Sequence, residues 1–229
     1  MAYPGFFLVF EGGDGVGKTT QATMIARWLA SPEGGTRYVT ITREPGGTPL
    51  GLQLREAVMH GGDVSPRAEA LLYAADRAQN VDEVVFPALE QGDIVVQDRF
   101  IDSSIAYQAV ARGLGEEIGR ISAWAADGLI PDLTIVLDME PDASRLGEDL
   151  DRVEQDTWAR AGEIRQAFLD LAEREPGRYL VLDASRPLEV VHSDICSALQ
   201  AVLPEPSRGF RAPKPVPRVG NWTQWDLSE

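Results

Sequence analysis

Residues 6–19 decide the fold of this chain; they read Phe-Phe-Leu-Val-Phe-Glu-Gly-Gly-Asp-Gly-Val-Gly-Lys-Thr. The apolar run at residues 6–10 predicts a buried β-strand, and residues 12–19 match the pattern G-x-x-x-x-G-K-[S/T] in full. A helical pattern over residues 20–30 follows at once. A glycine-rich loop between a strand and a helix cradles the phosphates of a nucleoside triphosphate. We therefore predict a phosphate loop here rather than a chance glycine-rich turn.

The residue types in the loop explain how it would hold a triphosphate. Glycines let backbone N–H groups turn towards phosphate oxygens without a Cβ clash. We expect Lys18 to reach the β- and γ-phosphates and the Thr19 hydroxyl to ligate magnesium. The dinucleotide pattern G-x-G-x-x-G fails, because Lys18 stands at its last position, and this disfavours a nicotinamide enzyme. The predicted triphosphate-binding residues of this segment are Gly12, Gly13, Asp14, Gly15, Val16, Gly17, Lys18, Thr19 and Thr20.

Apolar β-type runs alternate with longer helical patterns along the rest of the chain. The runs are almost continuous in Val, Ile, Leu and Phe, which is typical of parallel strands covered on both faces. We predict an α/β domain over residues 1–203, with a doubly wound, five-stranded parallel sheet and helices on both faces. The predicted strands are residues 6–10, 38–42, 94–97, 133–138 and 179–183. The predicted helices are residues 20–30, 50–60, 66–91, 101–111, 116–128, 157–174 and 188–203.

Composition and charge narrow the class of protein. The 229 residues are 44% hydrophobic and carry a net charge of −15. These values suit a globular core and argue against a nucleic-acid partner, which needs a wide basic face. Cys196 is the sole cysteine, so no internal disulfide is expected. No apolar run approaches the roughly 18 residues of a membrane span, and no secretion signal begins the chain, so we expect a cytoplasmic enzyme without a membrane partner.

Composition changes at Pro204. Residues 204–229 are rich in proline and have little periodicity, which predicts a tail rather than a second domain. The tail carries Trp222 and Trp225. Two tryptophans favour docking on the body or on a partner over a fully solvated segment.

The phosphate loop alone does not identify the phosphate acceptor: a GTPase switch, an ATP-driven motor and a small-molecule kinase would all carry it. Three further motifs concern this acceptor. Residues 42–48 read T-R-E-P-G-G-T, and an arginine at a strand end can clamp a phosphate. Residues 69–79 read E-A-L-L-Y-A-A-D-R-A-Q, and residues 98–108 read D-R-F-I-D-S-S-I-A-Y-Q. In this combination and order, the motifs resemble those of thymidylate kinases, which phosphorylate dTMP with ATP. The resemblance covers about residues 6–203.

The resemblance implies a role for each matching residue. Arg43 and Arg99 would clamp the dTMP phosphate, and Tyr73 would stack on the thymine. The implied dTMP-binding residues are Asp14, Arg43, Pro45, Tyr73, Arg77, Arg99, Ser104 and Gln108. Arg186 and Pro187 would pack against the ATP adenine. Asp98 ends a strand and is our candidate for the acid beside magnesium, together with Thr19, while Asp138 at the end of another strand is its rival.

The segment after the fourth strand departs from the family pattern. A lid there usually carries an arginine-rich stretch, whereas here the lid, at about residues 142–156, is shorter and acidic and keeps only Arg145 and Arg152. Gly15 in the phosphate loop is typical of the subgroup whose catalytic arginine comes from the lid. We expect Arg145 or Arg152 to take that role; cations of the tail, or a slow kinase, are the alternatives. The implied catalytic residues are Lys18, Asp98, Arg99, Arg145 and Arg152.

The resemblance thus implies transfer of the γ-phosphoryl group of ATP to dTMP, with Mg²⁺ as cofactor. Family members usually pair through helix faces, so a homodimer is expected. A kinase for another pyrimidine deoxynucleotide, such as dUMP or a 5-substituted dUMP, is one alternative. A nucleotide-binding regulator with weakened catalysis is the other.

Overall fold

A five-stranded parallel sheet forms the centre of the chain, in a computed structural model that describes residues 3–146 and 151–203. Its strands are β1 (Phe6–Glu11), β2 (Val39–Arg43), β3 (Ile94–Asp98), β4 (Leu133–Asp138) and β5 (Tyr179–Asp183), in the order β2-β3-β1-β4-β5. The predicted tail at residues 204–229 and residues 147–150 of the predicted lid lie outside the described residues.

The strand order explains where a ligand can bind. Leu8 of β1 pairs with Val96 of β3 on one side and with Leu133 of β4 on the other, in parallel register. The carboxyl ends of parallel strands meet at one edge, and ligands bind beyond that edge where the chain reverses its winding direction. The predicted phosphate loop leaves β1 at this point.

Helices cover both faces of the sheet, as predicted. They are α1 (Lys18–Ala30), α2 (Pro49–His60), α3 (Pro66–Asn80), α4 (Phe86–Glu90), α5 (Ile101–Ser104), α6 (Glu117–Ala125), α7 (Arg152–Thr157), α8 (Ala161–Arg174) and α9 (Leu188–Val202). Two π-helical turns, Val81–Val85 and Ile105–Ala111, continue α3 into α4 and extend α5. Leu8 and Phe10 of β1 pack in a core cluster with residues of α1 and α9, whereas Phe7 and Val9 pack in a second cluster with residues of the first π-turn and α4.

The prediction of one helix over residues 157–174 is wrong. A short helix, α7, begins earlier at Arg152, a 3₁₀ turn covers Trp158–Arg160, and α8 begins at Ala161. The early start has a local cause: the Asp151 carboxylate accepts from the Glu154 N–H at 2.9 Å, and the Glu154 carboxylate accepts from the Asp151 N–H at 3.0 Å. This reciprocal capping box starts a helix inside the segment that the sequence assigns to the lid.

Among the described residues, no helix has both the length and the apolar content that crossing a membrane requires.

Candidate active site

A cavity of about 400 Å³ opens at the carboxyl edge of the sheet. Its wall combines the phosphate loop, the ends of β2 and β3, α3 and the π-turn Ile105–Ala111. The sequence-predicted residues on this wall are Asp14, Gly15, Gly17, Lys18, Thr19, Thr20, Arg43, Pro45, Tyr73, Arg77, Asp98, Arg99, Ser104 and Gln108. Residues that are far apart in the sequence therefore meet in one site, as the parallel topology requires.

A few predicted site residues do not line this cavity. Gly12, Gly13 and Val16 belong to the phosphate loop, and Val16 is buried in the core cluster beneath α1. Arg186 and Pro187 follow β5; the Arg186 guanidinium lies 2.8 Å from the Asp194 carboxylate. The structure thus groups most of the phosphate-side and acceptor-side residues on the cavity wall, and leaves the two adenine-side residues and the two lid arginines, Arg145 and Arg152, off its lining.

The phosphate loop wraps around the start of α1. Gly12 has a φ of 134°, and a Cβ built on it would lie 2.4 Å from the carbonyl oxygen of Leu137 in β4, so no other residue fits there. Lys18 is the first residue of α1, and its Nζ donates to the carbonyl oxygen of Gly13. Burial, and next the positive charge of Arg99, lower the pKa of Lys18 to about 8. The loop therefore holds a buried cation that an anionic ligand would stabilise in its charged form.

Asp98 ends β3 and faces the start of α1. The Thr19 hydroxyl donates to Asp98 Oδ2 at 2.5 Å, while Oδ1 is buried and accepts no hydrogen bond from the described residues. Its rival Asp138 is fully engaged instead, because Arg165 donates to both of its oxygens, at 2.7 and 3.0 Å. Mg²⁺ prefers hard oxygen ligands, such as a hydroxyl and a carboxylate with one free oxygen. Phosphate oxygens and waters usually supply the rest of its six ligands. The described residues hold no cluster of His, Cys, Asp and Glu that would bind a metal without such help.

Arg99 follows Asp98 with a φ of 67°, a left-handed conformation that costs a residue with a side chain about 1–3 kcal/mol. The strained backbone aims the guanidinium back at the phosphate loop. It donates to the Asp14 carboxylate, to the Ser103 hydroxyl at 2.9 Å and to the carbonyl oxygen of Gly12 at 3.4 Å. Burial alone would raise the pKa of Asp14, but Arg99 and Lys18 lower it below its usual range.

The opposite wall of the cavity carries Arg77, which is almost fully buried. Its Nε donates to Glu44 at 2.8 Å, and its Nη2 donates to the Phe100 carbonyl oxygen and to the Ser104 hydroxyl, both at 3.0 Å. Its Nη1 is buried and has no partner among the described residues. A buried guanidinium N–H without a partner is costly, so a ligand that brought an acceptor oxygen to this wall would be stabilised there.

Sequence reasoning missed a second cation beside Arg43. Arg55 of α2 also lines the cavity, and its Nη1 donates to the carbonyl oxygen of Pro45 at 3.2 Å. Burial, and next the positive charge of Arg55, lower the pKa of Arg43 to about 10. The pair forms a positive corner that suits a phosphate. Nothing in the helical pattern of residues 50–60 distinguished Arg55 from a solvated arginine.

Tyr107 and the start of α7 were missed as well. The Tyr107 hydroxyl donates to Asp14 Oδ2 at 2.6 Å, and the Tyr107 ring lies against the Arg99 guanidinium. Its spacing of three residues from Ser104 within one quoted motif was a usable signal. Asp151 and Glu154 also line the cavity, so these two acidic residues of the predicted lid face the site rather than the solvent alone. Burial raises the pKa of Glu154.

The two lid arginines differ in what they contact. Arg152 is committed to protein partners: it donates to Glu69 at 2.8 Å, to Asp156 at 3.1 Å and to the carbonyl oxygen of Val58 at 3.1 Å. Arg145 is exposed, and its guanidinium donates to the Met139 sulfur at 2.8 Å.

The backbone of Arg145 lies directly on the phosphate loop. A Cβ built at Gly15, which has a φ of 73°, would come within 3.1 Å of the Arg145 carbonyl oxygen. Glycine at this loop position thus leaves room for the lid segment to approach.

Comparison with known proteins agrees with this geometry. A family model described as thymidylate kinase matches residues 10–195. A thymidylate kinase of Leifsonia xyli is 53% identical over 199 residues, which cover 84% of this chain and 93% of that protein. A thymidylate kinase of Clavibacter michiganensis is 50% identical over 206 residues, covering 87% of this chain and 96% of that protein. The crystal structure of thymidylate kinase from Ehrlichia chaffeensis matches with a TM-score of 0.70 and 31% identity over 86% of this chain and 99% of that one. The chain belongs to the thymidylate kinase family.

Proposed function

We propose that this protein transfers the γ-phosphoryl group of ATP to dTMP, giving dTDP and ADP. One observation carries the proposal: the phosphate loop and the arginines at the ends of β2 and β3 line a single cavity in a chain about half identical to thymidylate kinases. The alternatives of a kinase for another pyrimidine deoxynucleotide and of a regulator are not favoured by relatives that match over most of their length.

Phosphoryl transfer needs positioning and charge neutralisation more than covalent help from the protein. An oxygen of the dTMP phosphate attacks the γ-phosphorus, the bond from that phosphorus to the bridging oxygen breaks, and ADP leaves. Arg43 and Arg99 hold the attacking phosphate, and Lys18 holds the β- and γ-phosphates. The phosphate is already a nucleophile, so no general base is required. His60 and His192 accordingly lie outside the cavity lining.

In this proposal, the cavity wall that carries Arg77 recognises the nucleoside of dTMP. Tyr73 stacks on the thymine, Arg77 Nη1 donates to a thymine carbonyl oxygen, and Gln108 reads the rest of the base edge. Asp14 accepts from the sugar 3′-hydroxyl once dTMP draws Arg99 towards the phosphate. On the ATP side, Arg186 and Pro187 pack against the adenine, beyond the cavity lining described above.

Thr19 and Asp98 hold Mg²⁺ in this proposal, which rests on the unpartnered Asp98 Oδ1 beside the Thr19 hydroxyl. When bound, the ion neutralises charge on the β- and γ-phosphates. The chain's own part is to keep the Asp98 carboxylate at the end of β3, within reach of the helix that carries Lys18.

Arg145 is the better candidate for the lid arginine. It is exposed, it sits over the phosphate loop, and it makes no ion pair among the described residues, whereas Arg152 is held by Glu69 and Asp156. An arginine that reaches the γ-phosphate must be able to leave its resting contact, and a contact with the Met139 sulfur is weak. The tail cations of the alternative scheme lie outside the described residues.

The homodimer implied by the family stays a prediction. The exposed surface of α3 and α6 has the apolar character that a dimer contact requires. Exposed small and apolar residues follow one side of α3 at helical spacing, at Ala68, Leu71, Ala75 and Ala78. Trp124 on the adjacent α6 is 83% exposed. Exposed apolar residues on two neighbouring helices favour a protein partner. The cytoplasmic location likewise stays a prediction, in keeping with ATP as co-substrate.

The proposed activity is tested with purified protein, ATP and Mg²⁺, offering dTMP, dUMP, dCMP, dGMP and dAMP in turn and following ADP release with a coupled assay. We expect dTMP to give the highest kcat/KM, because the relatives that match this chain over most of their length are thymidylate kinases. A higher value with dUMP would favour the alternative pyrimidine kinase. Tight dTMP and ATP binding without turnover would favour the regulator and overturn the proposal.

The lid assignment is tested by Arg145→Ala. We expect kcat to fall by about 10³-fold, the order of effect of losing an arginine finger, with little change in KM for either nucleotide. Arg174→Ala removes an exposed arginine at the end of α8 and is the control, with wild-type kcat expected. A kcat for Arg145→Ala close to that of the control would contradict the assignment and move the role to Arg152 or to the tail.

The buried Lys18 predicts a pH dependence of ATP binding. Its pKa is about 8 in the empty site, and bound phosphates favour the charged ammonium, so binding raises this pKa. ATP affinity should therefore be greatest below pH 8 and weaken above it, by up to about tenfold per pH unit, with proton uptake on binding. Calorimetry in two buffers of different ionisation enthalpy measures both the ATP affinity and the number of protons taken up.

The Lys18→Arg variant should bind ATP without this pH dependence, because arginine stays charged throughout this range. A wild-type ATP affinity that is constant between pH 7.5 and pH 9.5 would show that Lys18 does not titrate on ATP binding.

A further inference from the structure

Glu69 of α3 has no exposed surface and does not line the cavity, yet it contacts a residue that does. Its Oε1 accepts from Gln108 Nε2 at 3.1 Å and from Arg112 Nε at 3.2 Å. Its Oε2 accepts from Arg112 Nη2 and from Arg152 Nη2, both at 2.8 Å. A carboxylate offers about four lone-pair sites, so the hydrogen-bonding capacity of Glu69 is fully used.

This arrangement decides which way the Gln108 carboxamide points. A carboxylate only accepts hydrogen bonds, so Gln108 must turn its NH₂ group towards Glu69. The reversed amide would place an oxygen against an oxygen in a buried site, which is costly. With one Nε2 hydrogen committed to Glu69, the carbonyl oxygen Oε1 and the second Nε2 hydrogen are left for the cavity, whose wall includes Gln108.

We propose that Glu69 is a positioning residue that orients the Gln108 carboxamide with its oxygen towards the base, so that the site selects a pyrimidine carrying an N3–H donor. The inference rests on the proposed function, in which Gln108 reads the base edge. Thymine and uracil carry a hydrogen on N3, which Oε1 can accept. Cytosine presents a lone pair at N3, so two acceptors would face each other. A buried polar site left unpaired in this way rejects the wrong ligand strongly.

The two arginines explain why Glu69 can be buried at all. A buried carboxylate must be paired, and Arg112 and Arg152 supply the compensating charge. Both arginines also donate to Asp156 Oδ2, at 3.0 and 3.1 Å. The Asp156 side chain is half-exposed and makes no hydrogen bond with Gln108. Asp156 therefore offers a matched control, since it shares the two arginines with Glu69 but lacks the contact with Gln108.

The test compares dissociation constants for dTMP, dUMP and dCMP, measured by calorimetry on the full chain. Glu69→Gln allows the Gln108 amide to reverse, because a glutamine can donate as well as accept. We expect the preference for dTMP over dCMP to fall by at least about tenfold, while the preference for dTMP over dUMP, which both carry N3–H, stays within about twofold. Asp156→Asn should leave both preferences unchanged.

Two further variants separate positioning from a general loss of structure. Glu69→Asp keeps a negative charge beside the two arginines, but its shorter side chain moves the carboxylate away from Gln108. The preference for dTMP over dCMP should therefore fall in this variant too. Its ATP affinity and melting temperature should stay near wild type. In a Gln108→Ala background, Glu69→Gln should change the preference no further. An unchanged preference in either folded Glu69 variant, or an equal further loss in the Gln108→Ala background, would overturn the inference. If wild-type protein itself bound dTMP no better than dCMP, the proposed function would fail instead.

Discussion

The contact between the end of β3 and the phosphate loop is the interaction on which the rest of the site depends. The Arg99 N–H donates to the Phe10 carbonyl oxygen at 2.9 Å, the Thr19 hydroxyl donates to Asp98 at 2.5 Å, and the Arg99 guanidinium reaches Asp14. These bonds compensate for the left-handed backbone at Arg99 and fix its side chain beside the phosphate loop. In the proposed mechanism, this contact is what brings the triphosphate site and the monophosphate site together at their phosphates.

The cavity is lined by several cations although the chain as a whole is strongly acidic. The protein carries a net charge of −15, yet Lys18, Arg43, Arg55 and Arg99 all line one cavity. Small ligands are attracted by the local potential, and an acidic exterior does not weaken it much at short range. Asp151, which caps α7, and Glu154 of α7 line the same cavity, so acidic side chains as well as cations surround the site. In the proposed mechanism, the exposed Arg145 therefore has fewer neighbouring arginines to share its role than it would have in an arginine-rich lid.

Much of the fold and part of the site could be predicted from the sequence, because strand-type runs and glycine-rich turns are local patterns. The five strands and the phosphate loop were identified in this way, whereas the residues of the acceptor motifs were identified from the resemblance to thymidylate kinases. Arg55 and Glu69 could not be assigned, since only packing between α2, α3 and the π-turn Ile105–Ala111 decides whether such a side chain faces solvent, the cavity or another residue. The early start of α7 was missed for a related reason: a reciprocal cap between Asp151 and Glu154 begins a helix ahead of the apolar pattern that suggested a start at residue 157.

The central claim is that both nucleotides bind in one cavity with their phosphates meeting at Arg99. The most direct measurement is the dissociation constant of a compound in which adenosine and thymidine are joined through five phosphates, set against those of ATP and dTMP. If both sites are occupied at once, the joined compound should bind at least about 100-fold more tightly than dTMP, and Arg99→Ala should remove most of that gain. An affinity no greater than that of dTMP alone would contradict the claim, because the two nucleoside positions would then not be spanned by one phosphate chain.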